Sequence, residues 1–238
     1  MRDTRRDVAR AIGPSDLLLT GGITAQSADG LVASSATNSV FAMTPGGQVL
    51  ARYDKAHLVP YGEYLPMRPI LSAIGLSRLA PGDLDFDPGP GPRTIDIAGL
   101  GPIGVQICYE IIFSGQVVDP ARRPAFIFNP SNDAWFGAWG PPQHLAQARL
   151  RAIEEGLPVV RATPTGISAV IDARGRLVAT IPMGRAGIID ARLPLAAPPT
   201  PFARFGNALS FAFAFLLAAL AFASLRLGRP RSRDGIAT

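Results

Sequence analysis

The sequence predicts a layered α/β sandwich followed by one membrane-spanning helix. Three observations carry that expectation. About nine short apolar runs are each bounded by Gly- or Pro-rich turns. One amphipathic helix lies between two of those runs. Near the end, Phe205 to Leu225 is a run of twenty-one residues without a charge.

In chain order, residues 2–12 read as a short helix and Leu17–Thr20 as an apolar strand. Ser39–Thr44 and Gln48–Tyr53 flank Pro45-Gly46-Gly47, a hairpin signal. Leu58 to Pro92 is a long Pro- and Gly-rich excursion, of the kind that serves as a lid or binding loop. Thr94–Ile97 and Ile103–Cys108 form a second strand pair, the latter a continuous apolar run suited to a central strand. Tyr109–Val118 has a helical pattern, and Ala125–Phe128 reads as another buried strand. His144–Glu155 places Leu145, Ala148 and Ala152 on one helical face, and Gly156 stops it. Val159–Arg161, Ile167–Ile171, Leu177–Thr180 and Gly187–Asp190 supply the last strands, with a turn at Asp172–Gly175. Pro194 to Pro201 is proline-rich and marks a linker, placed at 196–204.

Composition narrows the function. The net charge is +5, with the arginines clustered at the two ends, and the body has no basic stripe interleaved with aromatics, so nucleic acid is not an expected partner. One cysteine excludes an intrachain disulfide. The polar N-terminus has no apolar core of a signal peptide. As a helix, 205–225 is about 31 Å long, close to the hydrocarbon thickness of a bilayer. Arg204 precedes it, and Arg226, Arg229, Arg231 and Arg233 follow. That basic flank predicts a cytoplasmic tail over 226–238, with the body on the other side of the membrane. A buried core helix is the alternative reading of the same segment.

The chain holds twenty-three basic residues, of which only Lys55 is a lysine, and its only cysteine is Cys108. Where arginine serves as the general cation, a retained lysine points to a site that needs a compact ammonium. Cys108 closes an apolar strand just before a helical pattern, a position expected to favour thiolate. Glu63 and Glu110 are two of only four glutamates, each adjacent to a tyrosine and near Lys55 or Cys108. Thiol, amine and carboxylate are the parts of a covalent acyl-transfer site. Trp135 and Phe136, on the loop 129–136, are candidates to line an acyl-chain groove, although Asn and Asp there also suit plain turn chemistry. His57 and His144 have no zinc-type spacing with Cys108, so neither metal nor cofactor is expected.

Three motifs together resemble the apolipoprotein N-acyltransferases, membrane members of the nitrilase (carbon–nitrogen hydrolase) superfamily. Tyr53-Asp-Lys55-Ala-His57-Leu-Val-Pro60-Tyr-Gly-Glu63-Tyr-Leu-Pro66 is similar to the lysine motif. Ile107-Cys108-Tyr109-Glu110 is similar to the nucleophile motif, and Asn129 to Phe136 to the loop after the next strand. The resemblance implies a four-layer α-β-β-α domain over 1–195, lacking its first strand, on the periplasmic side of the bacterial inner membrane. It implies a Glu-Lys-Cys triad in which Cys108 takes an acyl chain from phospholipid as a thioester and passes it to the N-terminal amine of an apolipoprotein. Lys55 would stabilise the oxyanion, with Glu63, Tyr109 and Glu110 supporting the site and His57, Trp135 and Phe136 near substrate.

The family's general-base glutamate lies well upstream of the lysine motif, whereas this sequence has no glutamate before Glu63. The expectation is a truncated or split form, with little activity alone, that a separate N-terminal half would complement. Two other readings remain open from the sequence: a membrane-tethered amidase using water and small amides, and a non-catalytic remnant that binds lipid or a partner.

Overall fold

Two β-sheets face each other across a shared apolar layer, and a helix covers the far side of the larger one. The computed structural model describes residues 7–8, 10, 12–27, 29–78 and 84–227. Most of the expected helix over 2–12 and the tail from 228 on lie outside the described residues. The smaller sheet has the order β1 (Leu18–Gln26), β2 (Ser35–Met43), β3 (Val49–Asp54), all antiparallel. The larger sheet runs β4 (Thr94–Ile97), β5 (Gly101–Val105), β6 (Phe126–Pro130), β7 (Val159–Ala162), β8 (Ser168–Ile171), β9 (Leu177–Ile181). Within it β5, β6 and β7 are parallel neighbours, and the flanking pairs are antiparallel.

Side-chain alternation explains the layering. Val40, Ala42 and Tyr53 of the smaller sheet meet Ile97, Ile103, Val105, Phe126 and Phe128 of the larger one. Ile127, Val159, Ala169 and Ile171 point the other way and pack with Leu145, Ala148 and Ala152 of the long helix α2 (Gly140–Glu155). Each such fully buried Ile, Val or Leu contributes about 1.5–3 kcal/mol of hydrophobic stabilisation. The described residues thus fill a β-β-α stack of the sandwich. Two consecutive crossovers, β5 to β6 and β6 to β7, place their intervening loops beyond the carboxyl ends of parallel strands, where α/β folds build their sites.

Several boundaries differ from expectation. β1 extends six residues further than its apolar start, because its pairing with β2 continues through Gly21, Gly22 and Thr24 without further apolar alternation. β5 ends at Val105, and the helical pattern over Tyr109–Val118 yields one 3-10 turn, Cys108–Ile112. Gly115 adopts φ +72° and Pro120 follows, so the pattern cannot propagate. α2 begins four residues earlier than predicted, because Pro141 and Pro142 occupy a first turn whose N–H groups need no partner. Gly187–Asp190 forms no strand. The excursion over 58–92 carries the short helix α1 (Arg68–Ala73). At the end, α3 (Pro201–Phe205) is separated by Gly206, at φ +54°, from α4 (Ala208–Leu227). Ala208–Leu225 has mean hydropathy 2.3 and no burial against protein, and is long and apolar enough to cross a membrane.

Candidate active site

Lys55 lies one residue beyond β3, and its backbone still belongs to the sheet. Its N–H donates to the Asn38 carbonyl at 2.8 Å, and its carbonyl accepts from Gly89 N–H at 2.7 Å. A Cβ on Gly89 would stand 2.1 Å from the Asp54 carbonyl oxygen, so glycine is what lets the returning loop come this close. The side chain is only 1% exposed, and Nζ donates to Glu63 Oε2 at 2.7 Å. Glu63 also accepts from Val59 N–H at 2.8 Å and from Asn38 Nδ2 at 2.9 Å. A buried ammonium is stable only with such a partner, and these contacts fix Glu63 in turn.

Cys108 opens the 3-10 turn with φ +51°, a left-handed conformation that non-glycine residues rarely adopt. Glu110 holds this turn against the Lys55 loop. One of its oxygens accepts from Ile107 N–H at 2.7 Å. The other accepts from Ala56 N–H at 2.7 Å, His57 N–H at 3.2 Å and the Tyr53 hydroxyl at 2.9 Å. Burial pushes the Glu110 carboxyl up, against these donors. Burial and the neighbouring Glu110 also push the Tyr53 phenol up.

Glu110 thus holds the loop after Lys55 and the turn of Cys108 together, and the Lys55 charge favours the thiolate of Cys108. The thiol is nevertheless raised above its ordinary value, because burial outweighs the favourable Lys55 and Arg161 charges. This corrects the expectation of a thiolate favoured by a helix terminus. One 3-10 turn has little dipole to offer.

His57 stacks on Phe113 at 4.6 Å between centroids, and Tyr109 meets the same ring edge-on at 5.0 Å. His57, Tyr109 and Phe113 line a cavity of about 540 Å³ with Tyr64, Asp85 and Phe86 from the excursion. Trp135 and Phe136 stand on the turn Asp133–Phe136, 61% and 46% exposed, apart from that lining. Lys55, Glu63, Glu110 and Cys108 therefore form one linked group, Tyr109 and His57 flank a cavity beside it, and the Trp135 loop faces outward.

Comparison with known proteins identifies the family and the fold. The carbon-nitrogen hydrolase sequence pattern matches residues 6–197. The chain belongs to the carbon–nitrogen hydrolase family. Curated relatives named apolipoprotein N-acyltransferase include those of Bradyrhizobium diazoefficiens (43% identity, 91% of this chain, 41% of the relative), Rhodopseudomonas palustris (40%, 86%, 39%) and Caulobacter vibrioides (39%, 94%, 43%). The chain thus spans about two fifths of the length of the relatives it matches. Solved structures share the fold. The carbon–nitrogen hydrolase of Helicobacter pylori G27 has a TM-score of 0.54 at 17% identity, covering 78% of this chain and 64% of its own. An amidase of the nitrilase superfamily from Nesterenkonia AN1 has a TM-score of 0.55 at 19% identity, covering 86% and 68%.

In this carbon–nitrogen hydrolase domain the structure adds residues that the sequence reading did not single out. Arg161 on β7 is fully buried. It donates to Asn129 Oδ1 at 2.5 Å, Ser131 Oγ at 3.0 Å, the Ile167 carbonyl at 3.2 Å and Asp133 Oδ2 at 2.6 Å. Asp133 Oδ1 lies 2.8 Å from His144 Nδ1, and His144 Nε2 lies 3.0 Å from the Cys108 carbonyl. Burial works to raise Asp133, yet its bonds to His144 and Arg161 hold it below the usual carboxylate range. A Cβ on Gly166 would sit 2.1 Å from Asp133 Oδ2, so the β7–β8 loop closes over this carboxylate only as glycine. Cys108, Asp133 and His144 bring possible ligand atoms within 4.8 Å of one another. Asp133 and both His144 nitrogens already have partners, so we assign no metal there. An arginine inside an apolar strand, Val159-Val160-Arg161, was the available signal.

Proposed function

We propose that this chain is the acyl-transferring domain of an apolipoprotein N-acyltransferase. The observation that carries the reading is that Glu110 ties together the loop after Lys55 and the turn that opens at Cys108. Similarity to relatives of that name supplies the substrate class.

In this reading the Cys108 thiolate attacks an ester carbonyl of a phospholipid. The oxygen gains charge beside Lys55 Nζ, whose one described hydrogen-bond partner is Glu63, leaving two N–H groups to meet it. The tetrahedral adduct expels the lysophospholipid alkoxide, which takes a proton, and a thioester remains on Cys108. The N-terminal amine of a diacylglyceryl-cysteine then attacks the thioester, forming an amide and returning the thiol. Glu63 and Glu110 position Lys55 and Cys108, Tyr109 and His57 border the substrate cavity, and Trp135 and Phe136 meet the acyl chain. The family resemblance assigns the proton-accepting base to a glutamate upstream of the lysine motif, and none precedes Glu63 in this sequence. A complementing N-terminal segment supplies it. The helix from Ala208 crosses the bacterial inner membrane, with the domain on its periplasmic face and the basic tail in the cytoplasm.

The test is intact-mass spectrometry of the protein, complemented by the full-length N-terminal region, in phospholipid nanodiscs. The expected result is a hydroxylamine-labile fatty-acyl addition that Cys108→Ser abolishes. An unmodified thiol under those conditions, or acylation that persists in Cys108→Ser, overturns the proposal.

A further inference from the structure

The Asp133–His144–Arg161 group has no part in the acyl-transfer steps just described, although it touches the backbone of the residue that carries them. We propose that His144 is a positioning residue, holding the Cys108 carbonyl so that the thiol is kept in its left-handed backbone setting facing Lys55.

The chemistry of the contact fixes the direction of the hydrogen bond. A carbonyl oxygen only accepts, so the 3.0 Å contact requires His144 Nε2 to carry the hydrogen. The ring cannot turn away from this duty. Nδ1 lies 2.8 Å from Asp133 Oδ1 and 3.1 Å from Arg161 Nη2, and Arg161 is anchored by Asn129, Ser131 and Ile167. The ring is 7% exposed, and Asp133 and Arg161 are not exposed at all. Such a network, fully satisfied and dry, specifies one geometry.

The target needs that specification. A cysteine at φ +51° is held against its own backbone preference and persists only where its surroundings impose it. Glu110 restrains the turn from one side through Ile107 N–H, and His144 restrains it from the other through the Cys108 carbonyl. Because the peptide is planar, fixing that carbonyl also fixes the direction of the Tyr109 N–H, adjacent to the thiol. A relaxed Cys108 would swing its sulfur out of the field of Lys55.

The proposal rests on Cys108 being the reacting thiol, and its test reads the thiol directly. The full chain in detergent is treated with iodoacetamide at pH 8.5, and Cys108 alkylation is followed by mass spectrometry alongside thermal melting. Two substitutions divide the imidazole's contacts. His144→Gln puts an amide N–H where Nε2 was, whereas His144→Asn keeps a polar group at the Nδ1 end and cannot reach the carbonyl. The expected result is alkylation within about threefold of wild type for His144→Gln and slowed tenfold or more for His144→Asn, with both folded. The reverse order, equal rates in both variants, or melting far below wild type in both would overturn the proposal by placing His144 in the fold alone. A Cys108 that alkylates as expected but forms no thioester would overturn the acyl-transfer reading and leave this one standing.

Discussion

Two buried cation–carboxylate pairs flank Cys108, and they are built for different ends. On the side of the smaller sheet, Lys55 meets Glu63 at 2.7 Å, and Glu63 is its one described hydrogen-bond partner. On the side of the larger sheet, Arg161 meets Asp133 at 2.6 Å, and the rest of its fork goes to Asn129, Ser131 and Ile167. The lysine is held but keeps donors to spare; the arginine is spent on the fold. A single pair of opposite charges is therefore no guide to function. What separates the two is how many donors remain after the protein's own needs are met.

The largest expected effect breaks the comparison on the lysine side. Lys55→Arg keeps the charge but replaces a compact ammonium with a planar fork in a site with 1% exposure. Thioester formation from phospholipid should fall by about 10²–10³, as for loss of one oxyanion donor. Single-turnover mass spectrometry in the complemented protein measures it, and an unchanged rate would remove the argument for an ammonium. On the arginine side, Arg161→Met leaves Asp133 buried without its guanidinium partner, with only His144 beside it among the described contacts. We expect a loss of about 3–5 kcal/mol, seen as a melting temperature roughly 6–20 °C lower. A shift under about 2 °C would show that this network is ornamental to the fold.

The smallest effect sharpens the comparison at the thiol that both sides face. Burial and Asp133 draw the Cys108 pKa up, Lys55 and Arg161 draw it down, and burial prevails. Because the thiolate is the reactive form, alkylation should still be rising with pH beyond the ordinary thiol value of about 8.5. Lys55→Met, by removing a favourable charge, should move the profile further up. A half-maximal rate below pH 8 would contradict this sign.

The legible part of the site was the part marked by rarity. One lysine among twenty-three basic residues and one cysteine stood out, and Glu110 joins the loops that bear them. Apolar runs placed most strands, since alternation and turn residues are local signals. The unread part was non-local. Asp133, His144 and Arg161 are 11 to 28 residues apart, and each has a bland local reading as loop acid, helix histidine or strand arginine. His144 was considered from spacing only as a metal ligand, because nothing local reveals a bond to the Cys108 carbonyl. Glu110 was noticed for its proximity to Cys108, but its hold on Ala56 and His57, more than fifty positions earlier, needed coordinates. Helical spacing over Tyr109–Val118 misled because Gly115 ended what composition began.

The proline-rich stretch before the terminal helix is not a slack tether. Arg123 Nη2 grips the carbonyls of Glu155, Gly156 and Ala197, Ala197 N–H returns a bond to Gly156, and the Thr200 hydroxyl reaches the Glu154 carbonyl. These fastenings bolt the run-up to the helix onto the carboxyl end of α2, the same helix that carries His144. A sideways load on the terminal helix meets Gly206 first, and whatever that joint does not absorb reaches the scaffold behind the thiol.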